Sequence, residues 1–231
     1  MIPSVALTTT ANRAVELAPV ARAHGLRPVV LPCIEVVPAH ESVLEEARRS
    51  AAASDWLLVT SARTVEYLWP HGRFPEVEVA AVGAVTAAAV TGAGGTVRLV
   101  GNSGSIDLIS DLVALVEEAT VCFPHGRGAD ISKVQSLAEA GGKVSTWEVY
   151  TTESMPPALD PVDAVAFGSP SAVEGWCQSR GFAGVSVGAI GKTTAAALSG
   201  RGHSVDVVAD PPEYGELLER LSSSLSNRTK A

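Results

Sequence analysis

The chain contains a second copy of part of itself. Offset by 108 positions, Asp55-Trp-Leu-Leu-Val-Thr-Ser61 falls on Asp163-Ala-Val-Ala-Phe-Gly-Ser169 without a gap. Val65-Glu66 then meets Val173-Glu174, Phe74 meets Phe182, Gly83 meets Gly191, and Thr86-Ala-Ala-Ala89 meets Thr194-Ala-Ala-Ala197. Positions 55–97 hold 16 identities in 43, where composition alone gives roughly four or five in a chain so rich in Ala, Val and Gly. A repeat of this length is a duplicated half rather than a solenoid period, so it predicts two similar lobes. Two lobes imply a cleft, the common place for a small ligand.

At 231 residues the length suits one large or two small domains. With 46% hydrophobic and 18% charged residues the chain can bury a sizeable core. Aromatics make up only 5%, so that core is aliphatic, which favours parallel strands packed under Ala-rich helices. Extended runs at 5–8, 28–37, 56–59, 77–82 and 97–100 alternate with helical runs at 12–24, 41–53, 62–68, 86–91 and 105–118. The pattern restarts with a strand at 121–123, a helix at 130–139 and a long extended run at 143–152, and it ends in a helix at 213–221. Such alternation predicts an α/β fold of parallel sheets with helices on both faces, about five strands to a lobe. The Ser-rich tail, 222–231, is expected to be flexible. The extended runs 31–37 and 144–152 sit at equivalent places in the two units. They allow either two tandem lobes or a chain that crosses over and back, giving one continuous and one discontinuous lobe.

The net charge of −8 leaves no basic stripe for nucleic acid and argues against an anionic membrane surface. No apolar run approaches the ~18–20 residues needed to span a bilayer, and the start, Met1-Ile-Pro-Ser-Val5, lacks the form of a signal peptide. Cys33, Cys122 and Cys177 are an odd, widely spaced set that reads as reduced thiols of a cytoplasmic protein. The five histidines show no ligand spacing and no Cys-x-x-Cys occurs, so no metal is expected. Gly191-Lys192-Thr193 resembles the end of a P-loop, but the required earlier glycine would fall at Ser186. Gly92-Ala-Gly-Gly95 follows a helix and is a cap, not a dinucleotide fingerprint.

In open parallel sheets, ligands bind beyond the carboxyl ends of the strands, where helix N-termini present free N–H groups. The residues expected there are alike in type: Thr8-Thr-Thr10, Thr60-Ser61, Gly83-Ala-Val-Thr86, His125-Gly-Arg127-Gly, Gly168-Ser169-Pro-Ser171 and Gly191-Lys192-Thr193-Thr194. Each alone is an ordinary helix cap. Six together line a site with N–H and hydroxyl donors and suit a ligand bearing several carboxylates or phosphates. Tyr150, one of three tyrosines, lies on the second long extended run. Its phenol is a candidate proton or hydrogen-bond donor, against the plainer reading of an amphipathic ring at a strand end.

These residues carry a family resemblance. Asp55-Trp-Leu-Leu-Val-Thr-Ser61, Ala81-Val-Gly83 with Thr86-Ala87, Glu148-Val-Tyr150-Thr151, Phe167-Gly-Ser-Pro-Ser171 and Ala189-Ile-Gly191-Lys-Thr-Thr194-Ala resemble uroporphyrinogen-III synthase in order and spacing. The resemblance runs from Val5 to about Leu221. It implies two flavodoxin-like lobes joined by a two-stranded β-ladder, with 1–35 plus 153–231 forming one lobe and 36–152 the other. It implies closure of linear hydroxymethylbilane to uroporphyrinogen III, with inversion of ring D, loss of water and no cofactor or metal, by a monomer acting on a small molecule. Tyr150 then matches the family's cleft tyrosine, and Ser61, Thr86, Ser169, Ser171, Thr193 and Thr194 match its substrate-facing turns. Thr10, Arg13, Gly83, His125, Arg127, Gly191 and Lys192 complete the candidate binding set. Two places depart from the pattern. The first strand of many relatives ends in Thr-Arg-Pro, where this chain has Thr8-Thr-Thr-Ala-Asn-Arg13, and the turn after Phe123 reads Pro124-His-Gly-Arg127-Gly, displacing the basic residue. The rival reading is a non-catalytic two-lobed binding or regulatory protein for a polyanionic ligand.

Overall fold

The computed structural model describes residues 2–101 and 105–228. In chain order the elements are β1 (Ser4–Leu7), α1 (Ala11–Ala23), β2 (Arg27–Val30), β3 (Ile34–Pro38), α2 (Glu41–Ala52), β4 (Trp56–Val59) and α3 (Ala62–Leu68). There follow β5 (Glu78–Val82), α4 (Gly83–Gly92), β6 (Val97–Gly101), α5 (Ser105–Val113), β7 (Thr120–Gly126), a 3-10 turn (Ile131–Val134) and α6 (Gln135–Glu139). The chain ends with β8 (Lys143–Ser154), β9 (Ala164–Phe167), α7 (Pro170–Cys177), β10 (Ser186–Ala189), α8 (Lys192–Ser199), β11 (Val207–Val208) and α9 (Tyr214–Arg228). Two compact units divide it: unit 1 is Met1–Val36 with Thr152–Ala231, and unit 2 is Val37–Thr151. The chain passes from one to the other within β3 and within β8, which are neighbours in one sheet.

Unit 1 is a five-stranded sheet in the order β11-β10-β9-β1-β2, with every pair parallel. Read from the β2 edge this is second, first, third, fourth and fifth, the flavodoxin-type order. Side chains alternate across the sheet as a pleated strand requires. Val5, Leu7, Ala164 and Ala166 pack with Leu17 of α1 and Leu217, Leu218 and Leu221 of α9. Ala6, Val165, Phe167, Val187 and Ala189 face the other way, against Trp176 of α7 and Leu198 of α8. Continuous burial of these four-residue strands on both faces explains why they lack an alternating polar face, with only Ser4 and Ser186 polar at the strand starts.

Unit 2 is a six-stranded sheet in the order β3-β8-β7-β4-β5-β6, in which β8-β7-β4-β5-β6 are parallel. The spatial order of those five equals that of unit 1, with β7 and β8 standing for β1 and β2. Only the chain order is rotated: unit 2 supplies its last three strands before its first two. The 108-residue offset carries Trp56–Val59 onto Ala164–Phe167, strand on strand, so the repeat is the shared β-α-β-α-β half of each sheet.

The repeated aspartate ties each half together. Asp163 precedes β9, and its carboxylate accepts from the backbone N–H and the hydroxyl of Ser4, both at 2.7 Å, at the start of β1. Asp55 precedes β4 and accepts from the N–H (2.8 Å) and hydroxyl (2.7 Å) of Thr120, at the start of β7. In return the Asp163 N–H donates to the Ser4 hydroxyl and the Asp55 N–H to the Thr120 hydroxyl.

Three boundaries differ from the sequence reading. Helix α9 continues to Arg228 instead of ending near 221, because Leu225 extends the apolar stripe of Leu218 and Leu221 against the unit 1 core. Residues 229–231 of the expected flexible tail lie outside the described residues. Helix α5 stops at Val113 rather than 118, since the chain turns back to bury Val116 and Glu118 adopts φ 58°. The stretch 130–139 divides into a 3-10 turn and the short α6.

Hydrogen bonds from Ser4 and Thr120 hold the Asp163 and Asp55 carboxyls below the usual carboxylate range. A lowered folded-state pKa contributes stability that is present above the unfolded value, about 3.9, and is lost as pH falls through the folded value. Urea unfolding of Asp163→Asn should therefore show a deficit against wild type that is constant above about pH 5 and shrinks on acidification below about pH 4. A deficit that stays constant down to about pH 3 would assign the loss to geometry instead of charge.

Candidate functional site

In a sheet of this order the crevice opens where successive connections leave in opposite directions. That point lies between β1 and β9 in unit 1 and between β7 and β4 in unit 2. The turns beyond these strands are therefore where each sheet would meet a ligand.

In unit 1 the turn after β1 is Thr8-Thr9-Thr10. Thr8 is fully buried and donates to the Ala166 carbonyl at 2.7 Å, tying the β1 and β9 turns together. Thr10 caps α1 but makes no side-chain capping bond, which leaves its hydroxyl and the first N–H groups of the helix available. Arg13, in the first turn of α1, is exposed and paired with Glu16 at 2.8 Å. After β9, Ser169 caps α7 by accepting from Ala172 N–H at 3.2 Å and lies 3.0 Å from the Ser171 hydroxyl. Pro170 at the first helical position fits there because no N–H is needed.

Beyond β10, Gly191 caps α8 without a side-chain bond. Lys192 and Thr193 are exposed, whereas Thr194 is buried at 3% exposure. Gly191, Lys192, Thr193 and Thr194 line a cavity of about 710 Å³ with Ile190, Ala209, Asp210, Pro212 and Arg220. Arg220 donates to the carbonyls of Val208 (3.2 Å) and Asp210 (3.1 Å) and fixes the opposite wall.

In unit 2, Ser61 caps α3 by accepting from Arg63 N–H at 3.3 Å. Gly83 opens α4 at φ 75°, a left-handed conformation that lets β5 pass into the helix with no intervening turn. Thr86, the repeat partner of Thr194, is likewise buried, at 5% exposure. These two threonines were expected to face substrate. Both are largely buried within their helices, and Thr194 nonetheless contributes to the lining of the cavity beyond β10.

Tyr150, on β8, is half-buried, 5.8 Å ring to ring from Tyr67. Its ring lies on Gly126: a Cβ there would meet ring atoms at 2.4 and 2.6 Å and the hydroxyl oxygen at 2.9 Å. Tyr150 lines a cavity of about 320 Å³ with Val37, Pro38, His40, Val43, Arg127, Glu148 and Thr151. Arg127 donates through Nε to Glu148 at 3.1 Å, and its backbone N–H donates to the Tyr150 carbonyl at 2.8 Å. The expected turn begins later than the sequence reading placed it. His125 lies inside β7 at 5% exposure, its ring tilted against Phe123 at 5.0 Å with Nδ1 3.0 Å from the Gly126 carbonyl, and is not a turn residue.

The sequence reading missed Tyr214. Its hydroxyl lies against Gly168, where a Cβ would meet it at 1.9 Å. Burial raises the phenol's pKa, opposed by a hydrogen bond with the Thr9 side chain and by the Arg13 charge. Each unit therefore seats a tyrosine ring on a glycine at a strand end. Glycine at 126 and 168 is the sequence signal, but its partner is distant in the chain. Among the described residues no group of three or more His, Cys, Asp or Glu side chains is arranged to hold a metal ion.

These features define a two-unit α/β protein with flavodoxin-type sheets, whose strand-end turns carry helix-start N–H groups and small hydroxyl-bearing caps. The family description "Uroporphyrinogen-III synthase HemD" matches residues 15–219. Uroporphyrinogen-III synthetase from Helicobacter pylori has a similar fold, with a TM-score of 0.63 and 16% identity over 99% of this chain and 100% of its own. A mutant uroporphyrinogen III synthase from Thermus thermophilus gives a TM-score of 0.51 and 22% identity over 99% of this chain and 98% of its own. No curated protein sequence matches. This chain belongs to the uroporphyrinogen-III synthase family.

The Gly126 contact yields a test of how Tyr150 is placed. Gly126→Ala should displace the ring and cost about 1–3 kcal/mol in urea unfolding, the usual range for overpacking. In a Tyr150→Ala background the same substitution should cost much less, because the clash is gone. Equal costs in both backgrounds would mean that the ring does not rest on Gly126.

Proposed function

We propose that this protein cyclises hydroxymethylbilane to uroporphyrinogen III, inverting ring D with loss of water. The family match over residues 15–219 carries this reading. The donor-lined turns support it. The substrate is a flexible tetrapyrrole with many carboxylates, and the protein is itself acidic, with a net charge of −8. Local N–H groups at helix starts bind such anions without bulk positive charge. Thr10, Ser169, Ser171, Gly191, Lys192 and Thr193 in unit 1, and Ser61, Gly83 and Arg127 in unit 2, are the groups we assign to the carboxylates.

The chemistry asks little of side chains. The bond from the terminal methylene to its hydroxyl breaks, the oxygen leaves as water after gaining a proton, and the pyrrole nitrogen stabilises the azafulvene cation that remains. Attack by the bridge-bearing α-carbon of ring D forms a spiro intermediate. The bond from that carbon to its original methylene then breaks, and the free α-carbon of ring D bonds to that methylene instead. Loss of its proton restores the pyrrole and balances the proton taken up by the departing hydroxyl. Selecting the bridge-bearing carbon is a matter of holding the bilane in one folded conformation, so positioning supplies most of the rate and all of the isomer choice. Tyr150 is assigned to the departing hydroxyl as hydrogen-bond and proton donor, a contribution of roughly 10²-fold or more when such a donor is well placed.

We further read the protein as a cytoplasmic monomer. Three free cysteines, two of them buried, support a reducing compartment, and among the described residues no helix is long and apolar enough to cross a membrane.

The test supplies hydroxymethylbilane made in situ, oxidises the products and separates the type I and type III isomers. Type I forms spontaneously and is the built-in blank. We expect dominant type III, falling roughly 10²-fold in rate in Tyr150→Phe. Undiminished type III in that variant would remove Tyr150 from the chemistry and keep the function. Type I alone would refute the synthase and leave a two-lobed binding protein.

A further inference from the structure

Unit 2 has a second concave site on the side of its sheet away from the strand carboxyl ends. The last turns of α2 and the connection from α3 to β5 enclose a cavity of about 780 Å³, lined by Arg48, Arg49, Leu68, Trp69, His71 and Arg73 among others. That volume falls within the range of small-molecule pockets. We propose that this cavity binds a small organic anion with a flat apolar body, an aromatic carboxylate or sulfonate being the simplest form.

Arg73 is the centre of the argument. It holds φ 65° directly after Gly72 at φ 74°, so two successive residues are left-handed. Glycine is at ease there and an arginine less so, which makes the placement of a cation at this position beside the cavity notable. The Arg73 side chain is exposed and makes no ion pair among the described residues. The neighbouring arginines are placed differently. Arg48 is committed, donating to the Leu68 carbonyl at 2.7 Å and to Glu41 at 2.7 Å. Arg49 meets Glu46 only at 3.9 Å, with both side chains largely exposed. Leu68, Pro70 and Pro75, with the edge of the largely buried Trp69, form the apolar side of the cavity.

The internal repeat provides the control. The 108-residue offset places Gly72 and Arg73 on Arg180 and Gly181. In unit 1 that loop is filled by the chain itself. Arg180 stacks 4.4 Å over Trp176 and donates to the carbonyls of Ala158 (2.8 Å) and Asp160 (2.6 Å), and Gly181 is not among the residues with positive φ. The cation, the aromatic ring and the acceptors thus satisfy one another. In unit 2 the same loop has its cation moved by one position onto a left-handed residue, at the rim of this cavity. The ligand that would complete it offers what residues 158–160 offer in unit 1: oxygen acceptors for a guanidinium, next to an aromatic face.

Arg73→Gly separates binding from folding, because glycine suits φ 65° and the melting temperature should hold or rise. The probe is anilinonaphthalene sulfonate, followed by fluorescence titration of the full chain, with naphthalene sulfonate and neutral naphthalene methanol as competitors. We expect one saturable site, competition by the sulfonate roughly ten-fold or more stronger than by the alcohol, and a similar loss of probe affinity in Arg73→Gly. The isomer ratio made from hydroxymethylbilane should be unchanged in that variant, which separates this site from the synthase reading. Probe affinity retained in Arg73→Gly, equal competition by the alcohol, or the lack of saturable binding would each overturn the proposal.

Discussion

One carboxylate per unit, accepting two hydrogen bonds across the middle of a parallel sheet, sets the geometry on which the rest depends. Asp55 and Asp163 stand just before the central strands β4 and β9 and bind the first residues of β7 and β1. The strands they precede are four residues long, about 13 Å at ~3.3 Å per residue. A register fixed at one end is therefore fixed at the other, where the donor-bearing turns lie. The two strands joined are those flanking the topological switch point, so the tie holds the two sides of the crevice at a constant spacing. A parallel sheet has no hairpins to set its register, and a charge-assisted link between strand starts sets it directly.

The second constraint is electrostatic. A protein with a net charge of −8 has to bind a polyanion, and its cations near the strand ends are mostly engaged: Arg127 with Glu148, and Arg13 with Glu16. Backbone N–H groups at helix starts carry no counter-ion and need none. In the proposed binding mode, small caps such as Ser61, Ser169 and Gly191 would let a carboxylate approach them closely. Lys192, exposed at the first position of α8, would add a side-chain charge to this arrangement in the proposed binding mode.

Much of this was legible in the chain. The alternation of Val- and Ala-rich runs with helical runs predicts two parallel α/β sheets because strands buried on both faces lose the period of two that marks a half-exposed strand. The hydroxyl-bearing caps could be read at the strand ends because capping is local chemistry. Burial and long-range partnership were not legible. Thr86 and Thr194 sit in the expected turns but are almost fully buried. His125 proved to be strand, since β7 continues beside β8 past the apolar run. Tyr214 looked like an ordinary helix residue until the fold brought it to Gly168, far back along the chain.

The sequence by itself determined the repeated unit: its two halves fold as similar strand–helix units because local propensity, caps and apolar pattern act within a few residues. It equally placed an aspartate before the first strand of each copy, since Asp55 and Asp163 recur at the same offset, but which strand each meets was left to the fold. Tertiary structure alone decided which strands complete each sheet. β1 and β2 join β9, β10 and β11, while β7 and β8 join β4, β5 and β6, so one spatial order is written in two chain orders. The reason is physical: strand pairing satisfies backbone hydrogen bonds and buries two apolar faces at once, and neither depends on the order in which the strands arrive along the chain.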